Sequence, residues 1–423
     1  MKNVIGLLAF SVVLGTFAES AVSLVLVNQR WPWNEKVDVD FVLSGETSDV
    51  EVTATWDAHP APCRLGTLFD CAPGQRRFTW DPANSPFAGQ TLTGFAVAVS
   101  NASAAAHNYI VVNLANGGYE FLPDVPAGGW TDAHKSSKMV FRRIPAGTYT
   151  LGEEKATFTF LGLSDSSATT YSTLWKHRTV TFTSDFYVGV FKYTEAQHEC
   201  LNSGVPGNSF KPKKISYYSL RGVTNAVNAE LNVDWPATGY KVAMDSVVAK
   251  LRAKAGGALR IDLCEEEQWE VAARAGSTTI LPNGVTTADN YDVFTNKLNE
   301  ISAWYGSAGS EEVAVGLFAT NNWGLYDVVG LMGEWTLDTA LKQGGSALPR
   351  KGLGDNTDPT GVDLSAYGSA FRVFRTASAN YAGVALYNII PCSRQMKDPS
   401  DEYSCSTRFC IHLKPLVKEG RQP

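Results

Sequence analysis

The sequence predicts two unlike domains, an all-β immunoglobulin-like sandwich followed by an α+β domain with little regular secondary structure. Residues 22–115 hold a series of short runs rich in valine, threonine and aromatic residues, without a helical pattern. After residue 138, three helical segments stand among long glycine- and asparagine-rich stretches. A glycine- and proline-rich segment separates the two patterns. The predicted limits are 1–20 for a signal peptide, 21–116 for the sandwich, 117–137 for a linker and 138–415 for the second domain.

The predicted strands of the first domain are bounded by turn signals. Runs such as "KVDVDFVLSG", "VEVTATWD" and "LTGFAVAVS" alternate or remain apolar, as half-buried strands do. Segments such as "SGETSD" and "DPANSP" separate the runs. Because no helix interrupts them, the pattern predicts a sandwich of immunoglobulin-like type. We find no catalytic constellation in this part of the sequence.

The N-terminal segment predicts export. Lys2 precedes an apolar run from Val4 to Val13 that is too short to span a bilayer, and small residues follow near residue 20. This is the pattern of a signal peptide, so we expect a secreted or periplasmic protein without a membrane span. The net charge of −6 and the isoelectric point of 5.6 give no overall attraction to nucleic acid, and no nucleic-acid partner is expected.

Three segments of the second domain predict helices. "TEAQHECL" begins with a capping box, in which Thr194 is the N-cap and Gln197 follows three residues later. "DSVVAKLRAKAGG" offers Asp245 as a cap, and "CEEEQWEVAARAG" offers Gly276 as a C-cap. The segments between these helices are long and loop-like. Such a domain needs metal ions, disulfides or buried aromatic residues to hold its loops.

One loop segment sets two carboxylates among glycines. In "GLYDVVGLMGEWTLD", residues 324–338, Asp327 and Glu334 stand seven residues apart. Glycines between them allow the backbone to turn its carbonyl groups inward. The pair could therefore surround a cation, or it could cap and hydrogen-bond an ordinary loop.

Six segments in order resemble the sulfatase-modifying-factor family, whose namesake is the formylglycine-generating enzyme. The resemblance covers nearly all of residues 138–415 and implies a C-type-lectin-like α+β fold. By analogy, the pairing of an exported β-sandwich with such a domain resembles a bacterial surface or periplasmic arrangement. The matching segments are "FRRIPAGTYTLGE", "HRTVTFTSDFYVGVFKYTEAQHECL", "ISYYSLRG", "IDLCEEEQWEVAARAG", "NNWGLYDVVGLMGEWTLD" and "FRVFRTASAN".

The resemblance implies a structural calcium ion in the loop. Family members usually read "GLYDxxGNVWEW" there, and calcium binds carboxylate and carbonyl oxygens. The implied ligands are the side chains of Asp327 and Glu334 and the carbonyl groups of Gly330 and Met332. The sequence departs from the pattern at two positions: Leu331 replaces an asparagine, which removes one oxygen, and Gly333 replaces a tryptophan.

The resemblance also implies where a catalytic copper ion would be held. The enzyme binds copper through two thiolates, six and eleven residues after an arginine that corresponds to Arg375. Those positions are Tyr381 and Leu386, which cannot supply thiolates to Cu(I). Cys405 and Cys410 repeat the spacing, but residues five apart in a strand point to opposite faces, which favours a disulfide or a packed thiol. We therefore expect no copper and assign no catalytic residue.

Seven cysteines leave the disulfide pattern open. Export permits disulfides, and Cys63 and Cys71 could close a loop in the first domain. The sequence does not fix the connectivity of the remaining cysteines. At least one cysteine stays unpaired or pairs with another chain.

We therefore expect a non-catalytic binding or adhesion module, and the alternative is a copper-dependent formylglycine-generating oxidase that acts on sulfatase cysteines. The expected partner of a binding module is an extracellular or periplasmic protein or glycan. Trp304, Tyr305 and Trp323 are aromatic candidates for a binding surface, although each could also pack in the core.

Overall fold

The computed structural model divides the chain into two compact units, the first formed mainly by residues 1–108 and the second mainly by residues 109–423. Residues 1–19, and with them nearly all of the predicted signal peptide, lie outside the described part of the chain. The structure describes residues 20–30, 34–82, 90–102, 107–222, 241–304, 307, 312–340, 342–343, 346–347, 357–359, 371–376, 386–403 and 405–413.

The described part of the first unit is all β. The strands are β1 Ala21–Gln29, β2 Val37–Ser44, β3 Ser48–Trp56, β4 His59–Cys71, β5 Gly74–Trp80 and β6 Ala96–Ala102. They form two antiparallel sheets, of order β1-β2-β5 and β4-β3-β6, and both sheets contribute side chains to a shared apolar cluster that includes Val39 and Val52. Both side chains are fully buried because alternate residues of each strand face inward.

β4 is a strand that the sequence pattern did not predict, and it corrects the proposed disulfide. Cys63 and Cys71 are both free and lie eight residues apart in this one extended strand. Eight residues of a strand span roughly 26 Å, whereas a disulfide needs Cα atoms within about 7 Å. The predicted link between these two cysteines is therefore wrong.

The second unit mixes strands and helices. Its described helices are α1 Lys155–Phe160, α2 Asp165–Leu174, α3 Glu195–Ser203, α4 Tyr217–Arg221, α5 Val247–Lys254, α6 Glu266–Arg274 and α7 Tyr291–Ile301. None of the helices in the described ranges combines the length and apolarity that a bilayer crossing requires. The strands are β7 Tyr109–Asn113, β8 Tyr119–Leu122, β9 Lys138–Ile144, β10 Gly147–Leu151, β11 Arg178–Phe182, β12 Phe186–Gly189, β13 Ile261–Leu263, β14 Gly333–Ala340, β15 Lys342–Gln343, β16 Ser346–Ala347, β17 Phe371–Arg375, β18 Arg394–Lys397, β19 Cys405–Thr407 and β20 Phe409–His412.

Two sheets of this unit position the loop at residues 324–335. One has six strands in the order β13-β20-β12-β9-β7-β8, and the other has four in the order β18-β17-β14-β19. β14 pairs antiparallel with β17 and parallel with β19. The loop leads directly into β14, and Arg408 joins β19 to β20, so the two sheets meet beside the loop.

The three predicted helices are confirmed, with changes at two ends. Thr194 and Gln197 form the predicted capping box of α3 through reciprocal hydrogen bonds of 3.0 and 3.1 Å. α5 is capped by Ser246, whose side chain accepts from the Ala249 N–H, so the predicted cap at Asp245 is wrong. α6 ends at Ala275 in the left-handed conformation, with φ 49°, one residue before the predicted glycine.

The predicted linker at 117–137 contains regular structure. β8 lies within it, as does a 3-10 helix at Asp132–Lys135. β7, whose sequence was counted with the sandwich, pairs with β9 in the six-stranded sheet of the second unit. The domain limits drawn from the sequence remain a prediction that limited proteolysis can test.

Candidate functional site

The loop at residues 324–335 is a tightly folded, buried turn. Asp327 and Leu331 take left-handed backbone conformations, with φ 54° and 56°. Gly330 also has a positive φ, 64°, and a Cβ there would collide with the Ser302 hydroxyl and the Ala303 carbonyl group. Glycine is therefore required at this position. The Gly330 carbonyl accepts a 2.7 Å hydrogen bond from the Met332 N–H.

Glu334 is the most extensively bonded acid of the loop. It is fully buried at the start of β14, and its Oε2 accepts from Trp269 Nε1 at 2.7 Å and from Arg408 Nε at 3.2 Å. Its Oε1 accepts from the ammonium of Lys192. Burial alone would raise the pKa of Glu334, but Arg408 and Lys192 outweigh it and hold that pKa below its ordinary value. Glu334 is therefore ionised.

Lys192 supplies a buried cation to the loop. It follows β12, has no exposed surface, and donates from Nζ to the Met332 carbonyl oxygen at 2.8 Å as well as to Glu334. Burial lowers the pKa of Lys192, and the charge of Glu334 opposes that change. The Glu334 carboxylate in direct contact with Nζ favours the ammonium form, and the Met332 carbonyl oxygen accepts a second N–H.

Asp327 lies within the field of the same charges. Its Oδ2 accepts from the Gly316 N–H at 2.7 Å, while Oδ1 has no hydrogen-bond partner among the described residues. Burial raises the pKa of Asp327, and the Gly316 N–H, Lys192 and Arg408 act against that rise.

The four predicted calcium ligands therefore have other partners. Lys192 engages Met332 and Glu334, and the Gly330 carbonyl accepts the Met332 N–H, which leaves Asp327 with one free oxygen. Across the described ranges, no group of three or more His, Cys, Asp or Glu residues is arranged to hold a metal ion. The Met332 and Glu334 oxygens accept hydrogen bonds from the Lys192 ammonium, and the assignment of calcium ligands stays a prediction. The sequence offered one signal for Lys192, a lysine inside the apolar run "FYVGVFKY".

A second buried charge network surrounds α6. Arg375 donates to Glu266 at 2.7 Å and to Glu270 at 2.6 Å, and Arg394 donates to Glu266 at 2.8 Å. Arg274 joins Glu270 at 2.9 Å. Burial of Glu270 would raise its pKa, but Arg375 and Arg274 outweigh it and lower that pKa. Arg375, which frames the copper-binding segment in the family, is therefore a structural cation here.

An open cavity of about 720 Å³ lies among α3, α4, α5 and the turn at 398–402. Lys250 donates to Asn202 at 2.7 Å, and His198 meets the Tyr193 hydroxyl at 3.1 Å. Burial lowers the pKa of His198 to about 4, so this ring is neutral at pH 7. The sequence did not predict this cavity, because its residues come from four separate segments. Its polar lining includes His198, Asn202, Tyr218, Asp245, Lys250 and Glu402.

Of the three aromatic residues that the sequence offered as candidates for a binding surface, two are partly buried and one lies outside the described residues. Trp304 donates from Nε1 to Asn299 at 2.6 Å and packs against an apolar core cluster. Trp323 makes an edge-to-face contact with Tyr149, with ring centroids 5.8 Å apart. Tyr305 lies outside the described residues. Packing therefore accounts for the first two.

Comparisons with known proteins agree with the fold of the second unit. Residues 131–387 match the family model of the sulfatase-modifying factor enzyme 1-like domain. The chain belongs to this family. Its fold class is the α+β fold of the family, preceded by an all-β region, as the sequence predicted.

Two solved structures are similar to parts of the chain. Treponema denticola variable protein 1 is 19% identical with a TM-score of 0.39, and the match covers 65% of this chain and 95% of that one. CarF is 15% identical with a TM-score of 0.31, and the match covers 64% and 97% of the two chains. A comparison with curated proteins found no match.

The cysteines of this sulfatase-modifying-factor domain do not form a thiolate pair in the described residues. Cys410 is joined to Cys264 by a disulfide that links β20 to the residue after β13. Cys405 is buried at the start of β19. Cys392 is also buried, and burial raises the pKa of its thiol well above its ordinary value, which makes it a poor nucleophile.

The two family copper positions carry no sulfur. Leu386 is buried in a short 3-10 helix and packs into an apolar cluster. Tyr381 lies outside the described residues, and its phenol cannot act as a soft thiolate ligand.

Proposed function

We propose that this protein is a non-catalytic binding or adhesion module. The proposal rests on the absence of cysteine from the family copper positions and on the disulfide formed by Cys410. The family copper positions are Tyr381 and Leu386, and Cys410, the candidate for a displaced thiolate, is joined to Cys264. A Cu(I) site needs two thiolates on one ion, and a cysteine in a disulfide is not available to it.

The proposed ligand site is the open cavity among α3, α4 and α5. Its side chains include both hydrogen-bond donors and acceptors, among them the Lys250 ammonium and the carboxylates of Asp245 and Glu402. Tyr218 adds an aromatic ring. Such a surface suits a hydroxyl-rich ligand, so we favour a glycan, with a polar segment of an extracellular protein as the other candidate.

We also propose export to the periplasm or the exterior. The proposal rests on the pattern of Lys2 and the following apolar run. The disulfide between Cys264 and Cys410 is consistent with an oxidising compartment, because such bonds rarely persist in a reducing one.

A binding experiment tests the ligand site. The full chain is screened on a glycan array, and the strongest ligand is titrated against Asn202→Ala and Lys250→Ala by calorimetry. Each variant should raise Kd about fivefold or more, since each removes hydrogen bonds of about 1 kcal/mol or more. Lys297→Ala is the matched control, because Lys297 pairs with Glu300 at an exposed site. Unchanged affinity in both cavity variants would remove the cavity from the proposal.

The rival function has its own experiment. Reduced, copper-loaded protein is incubated with oxygen and a peptide that contains a sulfatase-type cysteine, and mass spectrometry searches for an aldehyde. We expect no aldehyde and less than one copper bound per chain. Aldehyde formation that is lost in Cys405→Ser would establish the oxidase and overturn the binding module.

A further inference from the structure

In this structure, residues that the family pattern assigns to calcium contact the side chain of Lys192 instead. The Lys192 Nζ lies 2.8 Å from the Met332 carbonyl oxygen and contacts Glu334 Oε1, and Asp327 lies close enough to interact with its charge. An ammonium has three N–H donors, and two of them have direct acceptors in the loop. The centre of the loop therefore already holds a cation.

Two cations already neighbour the acids of the loop. The Glu334 carboxylate pairs with Lys192 and Arg408, both of them buried, and the Asp327 side chain is buried in the same loop. Arg408 is held in place by the carbonyl groups of Gly189 and Val190, at 2.6 and 2.9 Å. A divalent ion added to this group would meet two fixed positive charges on buried side chains, where bulk solvent screens charge poorly.

The oxygen count also disfavours calcium, which takes about six to eight oxygen ligands. Leu331 supplies no side-chain oxygen where the family has an asparagine. The Gly330 carbonyl is turned to the Met332 N–H, and Glu334 Oε2 is occupied by Trp269 and Arg408. The free Oδ1 of Asp327 is the remaining donor of the predicted set.

We propose that the ammonium of Lys192 is a covalently attached replacement for the calcium ion of this loop. The lysine performs the structural part of the ion's role, since it joins the Met332 carbonyl group to Glu334 and neutralises the buried acids. The loss of the side-chain oxygen at Leu331 fits this exchange, because an ammonium needs fewer ligands than calcium does. The fold of the domain is then independent of the calcium concentration.

Thermal unfolding tests the replacement directly. The Tm of the full chain is measured in about 5 mM calcium and in chelator, and calcium binding is titrated by calorimetry, at a concentration that saturates even weak extracellular sites. We expect the same Tm in both solutions and no binding heat. A Tm that rises with calcium, or one calcium bound per chain, would overturn the proposal.

A variant tests the role of the charge. Lys192→Met keeps most of the side-chain volume but leaves Glu334 short of one cation, so Tm should fall by about 10 °C. Lys297→Met is the control, because it removes an exposed ammonium. An unchanged Tm in Lys192→Met would also overturn the proposal. If this variant does not fold, the calcium titration of the unaltered chain decides.

Discussion

In the first unit Arg77 pairs with Asp40 at the surface, whereas in the second unit Lys192 pairs with Glu334 where neither side chain reaches solvent. Both are contacts between opposite charges, but their surroundings differ. The side chain of Arg77 is more than half exposed, and water screens its charge whether or not Asp40 is present. The Lys192 ammonium is fully buried, so bulk water cannot screen its charge in this way.

The difference follows from how the two units satisfy the hydrogen-bonding groups of their backbones. Each sandwich sheet pairs its own N–H and C=O groups, so its core can be apolar. The second unit has long loops, and side chains replace some of the missing backbone partners. Arg408, for example, donates to the carbonyl groups of Gly189, Val190 and Tyr326. A loop-rich domain therefore depends on buried charge, and losing one partner leaves the other uncompensated.

The largest effect is expected from Glu334→Leu. The variant leaves the buried cations Lys192 and Arg408 without their shared carboxylate, which should cost about 3–5 kcal/mol of the free energy of unfolding. Denaturant unfolding measures the loss. Glu300→Leu, at an exposed pair, is the control. A loss below about 1 kcal/mol in Glu334→Leu would contradict the contrast between the two units.

Cys410→Ser should have the next largest effect. It opens the link to Cys264, which closes a loop with a sequence separation of 146 residues, and such a loss typically costs about 2–5 kcal/mol. Reductant should lower the Tm of the unaltered protein and leave that of the variant unchanged. Cys63→Ser, at a free cysteine of the sandwich, should keep the response to reductant.

A third test uses pH. Burial lowers the pKa of His412 in the folded protein to about 4, against an ordinary value of 6.5. The unfolded chain therefore binds the proton first as pH falls, and stability is lost between pH 6.5 and about 4, by up to about 3 kcal/mol. His412→Asn should reduce the slope of stability against pH in this range, and the remaining slope should come in part from His198, whose pKa is also lowered to about 4. His177→Asn, at an exposed site, should leave the slope unchanged.

The smallest effect is expected from Asp40→Ala in the sandwich. The exposed pair with Arg77 should contribute about 0.5 kcal/mol or less, and roughly 1 M salt should erase the difference. Urea unfolding of the two proteins at low and high salt measures it. A loss comparable to that of Glu334→Leu would show that both units depend on charge to the same degree.

The sequence predicted features that depend on neighbours along the chain. Alternation in "KVDVDFVLSG" and the cap at Thr194 are local, and both correspond to observed elements. The sequence pattern did not predict β4 because Pro60, Pro62 and Gly66 are uncommon inside strands. Bulges in the pairing of β4 with β3 accommodate such residues.

The site was predicted only in part, because some of its contacts join residues that are far apart in the sequence. Asp327 and Glu334 lie in one segment, so their spacing suggested a cation-binding loop as one of two interpretations, and the family resemblance added Gly330 and Met332. Lys192 lies 142 residues before Glu334, and Cys264 lies 146 residues before Cys410. No local pattern specifies such pairs, because only the packing of the two sheets brings them together.

The place of β20 in the six-stranded sheet has a consequence for biosynthesis. β20 lies between β13 and β12, and Cys410 within it is the partner of Cys264. During translation, β12 and β13 emerge from the ribosome well before the strand that joins them. The sheet therefore cannot close, nor its disulfide form, while residues 409–412 are still being synthesised. A chain arrested before residue 409 would hold two unpaired strand edges and a free thiol, which are features that chaperones and quality-control proteases recognise.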